Sequence, residues 1–111
     1  MRIALPVSNN RVAGHFGHPD HFLIFDVDAQ GNGPVSRLMP PPHEHGVIPR
    51  WVIEHRAEVV IADRMGDEAR QLLEEAGVRV FTGAPPREPE WLIQQFLAGR
   101  LEDSHILCAH H

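Results

Sequence analysis

Apolar positions along the chain follow two different periods. Residues 2–7 form a short, nearly continuous apolar run, which predicts a buried strand. Pro6 has no N–H to donate and is tolerable only near the end of such a strand. A polar, glycine-bearing loop over residues 8–20 leads to a second strand over 21–27 (HFLIFDV), rich in aromatic and aliphatic residues. DAQGNG over 28–33 is a turn signal, so residues 34–39 return as a hairpin partner. MPPPHEHG over 39–46 is too rich in proline for regular structure. Beyond it the period lengthens. Val47, Ile48, Trp51, Val52 and His55 share one helical face, with Pro49 in the first turn. Residues 57–62 (AEVVIA) contain an apolar run suited to a central parallel strand. Met65, Ala69, Leu72, Leu73 and Ala76 mark a second helix closed by Gly77. A strand over 78–81 and a helix over 88–97, with Pro89 in its first turn, complete the pattern. Trp51, Trp91 and Phe96 fall on apolar faces and are expected in the core, whereas Glu74 and Glu75 form an exposed face.

The order β-β-β-α-β-α-β-α predicts one α/β domain with a mixed sheet. Its length, 111 residues, suits a single domain, and 42% hydrophobic with 23% charged residues is a globular composition. Cys108 is the only cysteine, so an intrachain disulfide framework is excluded. No apolar run approaches the ~20 residues of a membrane span, and residues 1–7 do not read as a signal peptide. A cytoplasmic location is expected. All ten basic residues are arginine, which removes Schiff-base lysine and P-loop chemistry. A formal net charge of −5 argues against nucleic-acid binding. Nine histidines make the charge strongly pH-dependent.

The loop after the first strand reads VAGHFGHPDHF over residues 12–22. Together with the MRIALPVS start, AEVVIADRMG over 57–66 and LLEEAGVRVF over 72–81, it resembles the dinitrogenase iron–molybdenum cofactor biosynthesis family, the NifX-type domain. The resemblance covers residues 1–101 and leaves 102–111 as an irregular Cys/His tail. It implies a ribonuclease-H-like three-layer α/β fold, a five-stranded mixed sheet flanked by helices. It also implies binding or carriage of an iron–molybdenum or related metal–sulfur cluster, without catalysis, through the His15, Phe16, Gly17 segment. One departure is Asp63-Arg64, where the family usually has a pair of glycines.

Ligands of open α/β sheets sit at the carboxyl ends of the parallel strands. Those ends carry His15 and His18, then Arg64 and Gly66, then residues 82–84. Arg64 adds a fixed positive charge, and Gly66 opens a helix whose N–H groups favour an anion; the alternative is a plain strand-to-helix turn. His15-x-x-His18-x-x-His21 has metal-site spacing, although strand entry turns His21 away. His43 and His45 alternate in an extended, proline-stiffened loop, so both rings can face one ion, or the loop is merely a polar connection. Cys108 and His110 supply a soft thiolate and an imidazole, or are no more than a chain end. Four donors from these segments would complete one tetrahedral site.

The expected cargo is a metal–sulfur cluster, and the runner-up is one transition-metal ion such as zinc, nickel or copper, sensed or buffered through a protein partner. Cluster donor or acceptor proteins are the expected partners, and the chain is expected as a monomer or weak dimer. Catalytic readings are weaker. Asp26 and Asp28 read as solvated turn residues, Ser8 lacks a nucleophile elbow, and a Cys108–His110 pair lacks a scaffold.

Overall fold

The computed structural model describes residues 1–104. Five strands form the path of one mixed sheet in the order β4-β3-β1-β5-β6, with β2 paired to β1 off this path. The strands are β1 (Arg2–Ser8), β2 (Arg11–Val12), β3 (His21–Asp26), β4 (Val35–Leu38), β5 (Val59–Ile61) and β6 (Arg79–Phe81). The helices are α1 (Val47–Glu54), α2 (Asp67–Glu75) and α3 (Pro89–Leu97). The β1–β3 and β3–β4 pairs are antiparallel; β1–β5 and β5–β6 are parallel.

Period-2 alternation divides β1 between two cores. Ala4 joins Phe22, Ile24 and Val60 beneath Ile48 and Val52 of α1 and Leu73 of α2. Ile3, Leu5 and Val7 point the other way, towards Leu92 and Ile93 of α3. Both faces of the sheet are thus covered, which is why β1 reads as a continuous apolar run. Trp51, Trp91 and Phe96 are only partly buried, packed against these cores rather than enclosed by them.

The sequence does not announce β2, a two-residue strand. It exists because β5 pairs with β1 only as far as Ala4↔Val60, leaving the far end of β1 open on that side. Val12 and Arg11 fill it opposite Val7 and Ser8, and the Ala13 N–H donates to the Pro6 carbonyl at 2.8 Å. Pro6 is tolerated where the parallel ladder has ended. Met65, expected inside the second helix, precedes it and is buried at 1% exposure. Gly77 takes φ 84° just beyond α2 and Gly99 φ 72° beyond α3, conformations that favour glycine. Arg2 closes the opposite end of the domain. It pairs with Asp26 at 2.8 Å and donates to the His55 carbonyl at 2.8 Å, satisfying the C-terminus of α1.

Candidate functional site

The carboxyl ends of β1 and β5 are stitched together at the rim of the sheet. His15 and Arg64 form a parallel bridge, and the Phe16 N–H donates to the Arg64 carbonyl at 3.0 Å. The Phe16 ring drops into the core, packing edge-on against Phe22 with centroids 5.6 Å apart. Phe22 in turn meets Trp51 of α1. One buried phenyl therefore fixes the backbone on which His15 and Gly17 ride, leaving the His15 side chain at the surface.

A cleft of about 250 Å³ opens above this seam, between α1, α2 and the 39–46 loop. Its floor is apolar: Phe16, Ile48, Pro49, Met65, Ala69 and Leu72. Its rim carries His15, His18, His43, His45 and Arg64, with Gly17 and Gly66 completing the two loops. Three of the segments singled out in the sequence, 15–18, 43–45 and 64–66, thus line one cleft, whereas residues 82–84, at the end of β6, are not part of its lining. Cys108 and His110 lie outside the described residues.

Within the rim the imidazoles are arranged unequally. The His18 and His43 rings face each other with centroids 4.3 Å apart and planes tilted by 32°. Gly17 lies against the His43 ring. His45 Nε2 contacts Glu68 Oε1 on the first turn of α2, joining the loop to the helix. Glu68 escaped the sequence reading because it is remote in the chain from His45, and an acidic residue in a first helical turn ordinarily needs no partner beyond the helix dipole.

Among the described residues no three His, Cys, Asp or Glu side chains stand together as a group that could hold a metal ion. The rim is also less basic than Arg64 alone implies. With the imidazoles neutral, one arginine faces two glutamates, Glu44 and Glu68. Gly66 does precede α2, but Asp67 and Glu68 occupy the first turn and offset the positive end of the helix.

His21 points away from the cleft, alternating with Phe22 along β3, as strand entry requires. Burial, aided by Arg37 and opposed by Asp20, holds its imidazole below the ordinary histidine value. Asp26 is not a free turn residue, since it binds Arg2. Asp28 accepts N–H bonds from Gln30 at 2.9 Å and Asn32 at 3.0 Å. Those backbone bonds hold its carboxyl below the usual range. Ser8 Oγ accepts the Asp20 N–H at 3.1 Å. No part of the cleft uses these groups.

The sequence also conceals a buried polar network beside the site. Arg70, which no sequence motif singles out, is 5% exposed and bound to Asp103. Asp103 also accepts from the Thr82 hydroxyl at 2.9 Å, and the Ser104 N–H donates to the Thr82 carbonyl at 3.0 Å. This clasp holds the segment after α3 at the carboxyl end of β6. Burial works to lower the Arg70 pKa, and Asp103 and Glu74 outweigh it to raise it.

The family model described as dinitrogenase iron-molybdenum cofactor matches residues 1–99. The chain belongs to this family. An uncharacterized protein of Methanocaldococcus jannaschii, MJ0580, is 27% identical over 110 residues, covering 92% of this chain and 90% of its own. The crystal structure of PH0822 superposes with a TM-score of 0.84 at 28% identity, over 95% of this chain and 96% of that one. The apo orange protein of Desulfovibrio gigas superposes with a TM-score of 0.79 over 94% and 92% of the two chains; at 21% identity this likeness is one of fold. Membership in the iron–molybdenum cofactor family relates this chain to cofactor or cluster binding and carriage. Among the described residues no helix is long and apolar enough to cross a membrane.

Proposed function

We propose that this domain is a non-catalytic carrier or assembly platform for a compact metal–sulfur cluster, iron–molybdenum or related, built on a ribonuclease-H-like scaffold in the cytoplasm. The carrying observation is the cleft itself: an apolar floor beneath a rim of four histidines and one arginine. Bridging sulfide is a soft, weak hydrogen-bond acceptor, so resting it on Met65, Ile48 and Leu72 costs less than burying an oxygen or nitrogen acceptor there. A cluster brings most of its own coordination and needs few protein donors. His15 is the first ligand in this reading, with His18, His43 and His45 around it, Phe16 and Gly17 shaping the contact, and Arg64 and Gly66 meeting its charge.

The tail over 102–111 contributes Cys108 and His110. What supports this is where the tail begins: Ser104 is bonded to Thr82 just past the carboxyl end of β6, and the cleft lies over the seam past the carboxyl end of β5. Loading and release proceed by ligand exchange at the rim imidazoles and the Cys108 thiolate with a donor or acceptor protein. Acid releases the cargo, because only neutral imidazole ligates.

A second reading, a single transition-metal ion sensed or buffered through a partner, draws on Glu44 and Glu68, whose charges favour a cation. Elemental analysis with acid-labile sulfide, on protein purified without oxygen beside a His15→Ala variant, separates the two. The carrier reading expects iron or molybdenum with sulfide, lost in the variant. One zinc, nickel or copper without sulfide establishes the second reading instead.

A further inference from the structure

The His45–Glu68 contact fixes more than the position of a loop. Both side chains are largely exposed, at 82% and 60%, and an isolated pair so exposed contributes little to stability. Its placement is what matters. His45 comes from the loop wall of the cleft, Glu68 from the α2 wall, and both line the same cavity. The contact uses Nε2 of the ring. A carboxylate beside Nε2 favours the tautomer that carries the proton there, which leaves the lone pair of the neutral ring on Nδ1. A histidine that ligates a metal ordinarily donates its other N–H to such an acceptor, which sets the ring's orientation and raises its basicity.

We infer that Glu68 is a positioning residue for cargo binding: it holds His45 by Nε2 and presents Nδ1 as the ligating atom. The inference rests on the proposed role of the cleft in binding metal, and it selects one atom of one side chain. It also opposes the reading in which Glu68 competes with the cargo for His45.

The test uses the full chain labelled with 15N-histidine and titrated with Zn2+ alone, in wild type, Glu68→Gln and Glu68→Ala. Both substitutions lie on an exposed first turn, and both remove the same charge; only glutamine keeps an oxygen that accepts from Nε2. In wild type and Glu68→Gln the coordination shift falls on His45 Nδ1. In Glu68→Ala it moves to Nε2 or vanishes, and Zn2+ affinity drops about 10–100-fold below that of Glu68→Gln. Coordination through Nε2 in wild type overturns the inference. Equal affinities in the two variants do the same, because charge alone then accounts for Glu68, and tighter binding in Glu68→Ala would show competition. None of these outcomes depends on whether the purified protein carries sulfide, so failure of this inference is distinct from failure of the cluster reading.

Discussion

Gly17 lies against the His43 imidazole so closely that a β-carbon at position 17 would stand 3.0 Å from both Cδ2 and Nε2. The loop after β1 and the proline-rich loop before α1 therefore meet over a glycine, and the stacked His18–His43 pair sits at that junction. Gly17→Ala forces the exposed His43 ring aside without touching a core residue. The expected result is a change in stability within about 0.5 kcal/mol by urea unfolding. Displaced ring resonances of His18 and His43, with weakened cargo binding, accompany it. Unchanged resonances would mean that the ring gives way without disturbing the pair.

Asp103→Ala is expected to act oppositely, on stability first. It strips Arg70, 5% exposed, of its carboxylate partner and unties Thr82 from the segment after α3. Glu74 remains, 3.1 Å from Arg70, so compensation is partial. A loss of roughly 1.5–3 kcal/mol follows from breaking partly buried, charge-assisted hydrogen bonds. Equilibrium unfolding of the variant measures it, and a loss below about 1 kcal/mol would show that water replaces the carboxylate at little cost.

These residues show which parts of the molecule were legible in sequence. Apolar period and the punctuation by Gly77, Pro49 and Pro89 located the helices and main strands, because local backbone preference and burial agree there. Rim residues followed from the rule that ligands gather at the carboxyl ends of parallel strands, since Arg64 lies just beyond β5 and His15 in the connection that follows β1. Arg70 was not legible: an arginine at helical spacing looks solvated until a residue 33 positions away supplies its counter-charge. The same holds for β2, formed to fill a gap left by β5, and for the His45–Glu68 contact. Each depends on where distant segments arrive, which periodicity does not encode.

His21 gives the domain a stability slope separate from cargo binding. Its folded pKa lies below the ordinary 6.5, chiefly through burial and then through Arg37, so the unfolded chain binds that proton more tightly. This contribution is complete above about pH 6.5, falls as pH drops through that value, and levels off below the folded pKa. His21→Gln is expected to lose less stability than wild type between about pH 8 and about pH 5, read as the change in urea midpoint. Parallel profiles would assign the slope to other histidines.

Arg64 offers the sharpest discrimination between the two kinds of cargo, because its backbone and side chain do different things. The backbone carbonyl accepts the Phe16 N–H and the backbone of Arg64 bridges to that of His15, and Arg64→Gln leaves both intact. The side chain is exposed, so stability should hold within about 0.5 kcal/mol. Only the charge changes, and the remaining charged side chains of the cleft lining are Glu44 and Glu68. An anionic cluster should then bind about tenfold more weakly, equivalent to ~1.4 kcal/mol. The difference between variant and wild type should shrink as salt screens it. A bare divalent cation should instead bind more tightly to Arg64→Gln, because the site has lost a like charge. Titrating both proteins with Zn2+ and with a preformed anionic iron–sulfur cluster makes the comparison direct. Weakened cluster binding beside strengthened Zn2+ binding is the outcome the carrier reading requires, and a cluster affinity indifferent to Arg64 would remove the arginine from the site.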